Sequence, residues 1–201
     1  MSHFKILLFL LFLTAGCQSF SQKPAFLAYE SDPWVTSTLN RMTLQEKIGQ
    51  LIMAEVFPER DDTYRSEREA LLQQYKPGGI LIMSGSPTQT AGWINKLQKM
   101  SGIPMLTAID GESGPGYRMD SVLNFPVAQC LGAIQSDELI HKMGQSIGKQ
   151  LQTIGINMNF GPVADINCDG ENPVINLRSF GENKETVARK ALAMMRGLQE
   201  E

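Results

Sequence analysis

The sequence predicts an α/β fold built on a parallel sheet, and three observations carry that expectation. Short apolar runs alternate along the chain with amphipathic segments of helical period. One of those runs, "ILIM" at Ile80 to Met83, is continuously apolar, as a strand covered on both faces must be. Helix-starting and helix-ending residues stand at the junctions, so each run is closed off before the next begins. A strand that is followed by a helix and then by another strand returns to the same end of the sheet, which makes the pairing parallel. The pattern leaves open whether such a sheet closes on itself.

The elements follow in order. Asp32-Pro33 opens a short helix with Val35, Leu39 and Met42 on one side, and Thr43 with Glu46 three places later forms a capping box for the next turn. "IGQLIMAEVF", Ile48 to Phe57, is the first strand candidate. The charged stretch Asp61 to Tyr75 places Leu71, Leu72 and Tyr75 on one helical side, and Pro77-Gly78-Gly79 breaks it ahead of "ILIM". Ser86-Pro87-Thr88-Gln89 starts a helix whose Ile94, Leu97 and Met100 share a face and which closes at Ser101-Gly102. "MLTAI" ending at Ile109 is the third strand. Ser136 caps a long helix stepping through Ile140, Met143, Ile147, Leu151 and Ile154 to Gly155. "INMNFGPVADI", Ile156 to Ile166, is the fourth strand, and an amphipathic helix from about Lys184 to Leu198 carries Val187, Ala191, Met194 and Leu198.

Composition narrows the function classes. Of 201 residues, 42% are hydrophobic and 19% charged, enough apolar material for a sizeable core. Lys and Arg number 18 against 21 acids, with no basic run to track phosphates, so nucleic acid is not an expected partner. The first residues, "MSHFKILLFLLFLTAGCQSFS", hold eight unbroken apolar residues from Ile6 to Leu13. As a helix they reach only ~12 Å, well short of the ~30 Å hydrocarbon core of a bilayer, and the stretch reads as a signal peptide over residues 1–16. Thr14-Ala15-Gly16-Cys17 is similar to a bacterial lipobox, which would make Cys17 lipidated and give the protein a membrane anchor. Cleavage after Ser21 and a retained anchor are the alternatives. Residues 17–31 then form a polar linker, and residues 32–201 the folded domain. Cys130 and Cys168 are expected as separate small core residues, with a disulfide between them as the alternative.

Several motifs are weighed and set aside. Gly144-Gln145-Ser146-Ile147-Gly148 matches a nucleophile elbow, and Ser146 with Lys149 matches S-x-x-K, but both fall inside a helical pattern rather than on a strand-turn-helix. Asp165, Asn167, Asp169 and Gly170 copy the first half of a calcium loop, yet its twelfth position is Asn176, and the element entering it is a strand. There is no phosphate-binding glycine motif after a strand. His141 sits in a helical stretch, where packing or exposure is the simpler reading. In a parallel α/β sheet the ligand rim is formed by the loops after the strand C-termini. Asp110 and Asp165 both stand at such ends, and Asp110 leads into the glycine-rich turn "GESGPGYR", whose small residues would let a ligand come close. A strand-end aspartate alone is often a turn former. Two arginines add weight: Arg118 leaves the same loop, and Arg178 lies in the loop after the fourth strand. A carboxylate beside planar guanidinium donors suits a neutral polyol, whose hydroxyls both give and accept hydrogen bonds. The plainer reading is an ion pair that ties two loops together.

"MTLQEKIGQLIM", "GGILIM", "AIDGESGPGYR" followed by "NFPVAQCLGAI", and above all "NFGPVADINCDGENPVINLRSFGEN" resemble the N-terminal domain of family 3 glycoside hydrolases, from about Asp32 to the end. The turn Asp110-Gly111-Glu112-Ser113-Gly114 is closer to the D-x-E-x-G of the β-N-acetylhexosaminidase branch than to the D-G-P-H-G type of the β-glucosidase branch. The resemblance implies a (β/α)8 barrel of TIM type, of which about the first four βα units are present in a chain shorter than the ~250 residues of a typical barrel. It implies a retaining β-N-acetylhexosaminidase that releases terminal N-acetylglucosamine from peptidoglycan fragments or other amino-sugar glycans, with no cofactor and no metal. Asp110 would bind hydroxyls of the non-reducing sugar, Arg118 would help hold that loop and the sugar, and Arg178 would donate to the ring. The family's K-H-F-P-G-H-G-like segment with the acid/base histidine, and the later nucleophilic aspartate, are not among these residues, so the chain reads as truncated ahead of its catalytic groups. Asp165 takes the role of supporting its loop rather than that of a catalytic acid. The alternatives are a non-catalytic sugar-binding fragment and a β-glucosidase-type family member. Exported members with a similar leader are typical of Bacteroidetes-like bacteria, which implies the periplasm or outer membrane of a Gram-negative cell.

Overall fold

The computed structural model describes residues 25–200. The leader and Cys17 lie outside the described residues, and so does the linker up to residue 24; Ala25–Tyr29 forms a 3-10 turn. The described residues divide into two compact units, with the boundary between Met42 and Thr43. In the first, helix α1 spans Pro33–Arg41, and the Asp32 carboxylate accepts the Trp34 N–H at 2.7 Å as its N-cap. Among the described residues no helix is long and apolar enough to cross a membrane.

The second unit opens with helix α2, Leu44–Gln50, launched by the expected capping box: the Thr43 hydroxyl accepts the Glu46 N–H, and the Glu46 carboxylate accepts the Thr43 N–H at 2.9 Å. That box corrects the first strand. Ile48 to Gln50 belong to the helix, and strand β1 is confined to Met53–Val56. Gly49 shows why the helix is held there, since a Cβ on it would stand 2.2 Å from the Tyr75 carbonyl oxygen at the end of the next helix.

The remaining elements are α3 (Asp62–Tyr75), β2 (Gly79–Ile82), α4 (Pro87–Met100), β3 (Leu106–Ile109), α5 (Ala128–Gly132), α6 (Asp137–Ile154), β4 (Met158–Asn159) and α7 (Lys184–Gln199). The four strands lie in the order β1-β2-β3-β4, every pair parallel, with Ala54 opposite Ile80, Ile80 opposite Thr107, and Ala108 opposite Met158. Ser86 and Gln89 form the second capping box, with Pro87 at the first helical position. Gly155 ends α6 at φ +89°, a conformation that favours glycine. Val56, Ile80, Ile82, Ala108 and Ile109 are almost fully buried, and Trp93, Ile94 and Leu97 of α4 with Ile140, Ile147 and Leu151 of α6 join them in one core.

Two further expectations change. The fourth strand, read as Ile156 to Ile166, shrinks to Met158–Asn159. Asn157 and Phe160 still donate their N–H groups to the Thr107 and Ile109 carbonyls at 3.0 and 2.9 Å, but the return donors on β3 and after it go to side chains. Asn157 accepts the Thr107 N–H through its side-chain oxygen at 2.9 Å, and Asn159 exchanges two hydrogen bonds with the Gly111 backbone, at 2.9 and 3.1 Å. Cys130 and Cys168 are free and exposed rather than small core residues: Cys130 lies on the outer side of the short helix α5 and Cys168 in the loop after β4.

Candidate active site

Strand β3 ends at Ile109, which is fully buried, and the chain emerges at the rim with Asp110. The Arg118 guanidinium reaches back within the same loop to donate to Asp110 Oδ2 at 2.5 Å and to the Asp110 carbonyl at 3.3 Å. Both side chains keep more than a quarter of their surface in solvent. Among the described residues Asp110 Oδ1 has no hydrogen-bond donor, so one carboxylate oxygen stays available as an acceptor.

Two residues on, Glu112 makes the second contact. Its carboxylate receives Arg178 Nε–H at 2.9 and 3.0 Å and Nη2–H at 2.5 Å, while Arg178 Nη1 donates to the Val174 carbonyl at 3.2 Å. This is a side-on contact in which Oε1 takes both Nε–H and Nη2–H while Oε2 shares Nε–H, a charge-assisted pairing of the strong kind. It joins the loop after β3 to the loop after β4, between residues 66 apart in sequence. The Glu112 side chain is 10% exposed against 38% for Arg178. The Glu112 carboxylate raises the Arg178 pKa above its ordinary value, chiefly through their hydrogen bonds.

The glycines of the first loop do something other than what the sequence suggests. A Cβ on Gly111 would stand 3.2 Å from Asn159 Oδ1, and Gly114, at φ +93°, would put one 3.1 Å from the Phe125 ring and 3.3 Å from Ile147. They make room for the protein's own packing rather than for a ligand. Ser113 is buried and donates to Asn124 at 3.0 Å, and its carbonyl accepts the Phe125 N–H, which fixes the loop from inside.

The structure thus brings Asp110, Arg118 and Arg178 onto one rim, linked through Glu112, to which the sequence reading gives no role. The loop-tying ion pair also exists, but its acid is Glu112 and not Asp110. No local spacing could have revealed it, because its partner lies in the next βα unit. Asp165 is exposed, beyond the end of β4; its backbone carbonyl accepts the Ser179 hydroxyl at 2.6 Å, and that hydroxyl also accepts the Gly181 N–H at 3.1 Å. It supports the loop through its backbone. The other set-aside motifs have structural explanations too. Gly144 lets α6 touch α7, since a Cβ there would be 2.4 Å from the Met194 carbonyl oxygen, and Ser146 is exposed in mid-helix. Asp169 accepts the Glu171 N–H at 3.0 Å, an Asx turn. His141 meets Glu200 at 3.1 Å on the surface.

A parallel α/β sheet with a carboxylate and guanidinium groups on the loops after its strands sets polar side chains where sheets of this class take their ligands. The family comparison makes the class specific: the model for the glycosyl hydrolase family 3 N-terminal domain matches residues 43–201, and the chain belongs to that family. It is 34% identical over 150 residues to "Beta-hexosaminidase A" of Pseudoalteromonas piscicida, a match covering 68% of this chain and 25% of the relative. It is 28% identical over 169 residues to the "Beta-N-acetylglucosaminidase/beta-glucosidase" of Cellulomonas fimi, covering 83% of this chain and 29% of that protein. Among solved structures, a glycoside hydrolase family 3 β-N-acetylglucosaminidase from Paenibacillus sp. str. FPU-7 superposes with a TM-score of 0.66 at 35% identity, over 79% of this chain and 31% of that one. The match places the sheet as part of a (β/α)8-type domain. The chain spans less than a third of the length of these relatives.

Proposed function

We propose that this domain holds the sugar of a retaining β-N-acetylhexosaminidase that removes terminal N-acetylglucosamine from peptidoglycan fragments or other amino-sugar glycans. The observation that carries the reading is the rim itself: a free carboxylate oxygen on Asp110 and, two residues on in the same loop, Glu112 holding the guanidinium of Arg178. A ring hydroxyl can donate to that oxygen and accept from the guanidinium, and Arg118 keeps the carboxylate turned toward it. Retaining hydrolysis also needs a nucleophile on one face of the anomeric carbon and a proton donor near the leaving oxygen. Glu112 has both oxygens on Arg178, and the open oxygen of Asp110 is given to a sugar hydroxyl in this reading, so neither is assigned to those tasks. We place the reacting pair outside the residues of this chain, a reading supported by the small share of its relatives' length that the chain spans. No cofactor and no metal enters the mechanism.

Calorimetric titration tests the assignment. The chain should bind N-acetylglucosamine saturably, more tightly than glucose, and should release no 4-nitrophenol from its N-acetylglucosaminide. Turnover by this chain alone would overturn the placement of the reacting pair, and absence of binding would overturn the clamp. Equal affinity for glucose would favour the β-glucosidase-type alternative, which the double name of the Cellulomonas relative keeps in view.

Export and a lipid anchor at Cys17, in a Gram-negative cell of Bacteroidetes type, complete the proposal. Their support is the apolar run Ile6 to Leu13 and the Thr14-Ala15-Gly16-Cys17 end. Incorporation of labelled palmitate that Cys17→Ser abolishes would be the expected result; equal labelling of both proteins would refute it.

A further inference from the structure

The sugar-clamp reading has Glu112 hold Arg178 in place, and the geometry of that contact says which part of the guanidinium is left for a ligand. The Arg178 guanidinium has five N–H bonds arranged on two edges and a corner. Glu112 takes the side edge, Nε–H and one Nη2–H, and the Val174 carbonyl takes one Nη1–H. What remains is one N–H on Nη1 and one on Nη2, neither with an acceptor among the described residues. We propose that Glu112 is a positioning residue that occupies the side edge of Arg178 and so turns its remaining Nη N–H groups toward neighbouring oxygens of a bound pyranose. The inference rests on the sugar-clamp reading above and deepens it.

Several features of the rim support the assignment. Glu112 has both carboxylate oxygens on Arg178, whereas Asp110 gives only one oxygen to Arg118 and keeps the other open. The acid that is nearly out of water does the holding, and the more exposed one faces the ligand. Glu112 is itself held: Gly111 before it is fastened by two hydrogen bonds to Asn159, and a Cβ on Gly161 would stand 3.2 Å from the Glu112 Cα, so backbone of the β4 loop packs directly against it. An arginine without that carboxylate would keep its charge but lose its orientation. Rotation about its side-chain bonds would then present either edge, and a two-point contact to a diol would be made only part of the time.

The test is a double-mutant cycle on the full chain, read by titration with N-acetylglucosamine and by the NMR signal of the Arg178 side-chain Nε–H. Glu112→Gln keeps the side chain's size but removes the charge and replaces one acceptor oxygen with a donor. It should weaken N-acetylglucosamine binding on the order of tenfold, as expected for loss of a charge-assisted contact. In an Arg178→Ala background the same change should cost nothing further, because there is no guanidinium left to orient. The Arg178 Nε–H signal should be protected from exchange in the unaltered chain and lost in Glu112→Gln. A merely structural role would lower affinity equally in both backgrounds, and that result overturns the proposal. So does a Glu112→Gln protein that binds as tightly as the unaltered chain, or an unprotected Nε–H in the latter. If the unaltered chain binds no N-acetylglucosamine at all, the sugar-clamp reading falls and this inference with it. That outcome is distinct from failure of the inference alone, in which the unaltered chain still binds.

Discussion

The two rim loops that carry the site are built in opposite ways. After β3 the chain turns inward: Gly111, Ser113, Gly114 and Pro115 are buried, and Glu112 is the one residue of that run left partly open. After β4 it stays outside, with Ile166, Val174 and Leu177 all more than a third exposed, and it becomes buried again only at Ser179 and Phe180. The first loop owes its shape to its own packing, while the second is tied down near its end by Arg178 on Glu112 and by Ser179 on Asp165. The difference teaches that a two-loop site needs only one rigid partner, provided that a strong contact carries the rigidity across.

Glycine replacement in the two loops should break the contrast most sharply. Gly114→Val adds a side chain at positive φ against Phe125 and Ile147, and it should destabilise the second unit by ~2–4 kcal/mol in urea unfolding. Gly170→Val meets no atom within 4 Å and should change stability by less than ~0.5 kcal/mol. A similar cost at both positions would mean that the second loop is as tightly packed as the first. Next in size, Arg178→Ala should remove ~1.5–3 kcal/mol of N-acetylglucosamine binding, seen as a rise in Kd, because a charged donor to the sugar is lost. Ser179→Ala takes a hydroxyl from a fully buried position where it serves Asp165 and Gly181, and a loss of ~1 kcal/mol in unfolding free energy is expected.

The smallest effect lies away from both loops and gives them a reference. Glu46, held by Lys76 and then by its capping contacts with Thr43, has its pKa lowered to about 2. Because the folded value is depressed, the stability it contributes is fully present above about pH 4.5 and is lost as the pH falls toward 2. The carboxylate is on the surface, so the contribution is modest. Glu46→Gln should flatten that part of the acid unfolding profile and leave the sugar-binding loops unaffected; an unchanged profile would remove Glu46 from the acid response.

Most of the architecture was legible in the chain because helix signals are local. The boxes at Thr43–Glu46 and Ser86–Gln89, the stop at Gly155 and the apolar steps of α6 each depend on residues within one or two turns. The errors arose where tertiary contacts overrode local pattern. Ile48 reads as strand by hydrophobicity, but the helix begun at Thr43 carries it along. The alternation in "INMNF" was visible, yet only the neighbouring strand shows that Asn157 and Asn159 use their side chains to extend the sheet. Asp110, Arg118 and Arg178 could be picked out as candidates, whereas Glu112 stood in a quoted motif without a task.

By itself the sequence determined the alternation of strands and helices, and hence a parallel sheet with Asp110 at a strand end, because periodicity and caps are properties of neighbouring residues. Only the tertiary structure decided which acid meets which arginine. Ion pairs form between groups that the fold brings within about 3 Å, and for Glu112 and Arg178 that approach depends on two loops converging from different βα units.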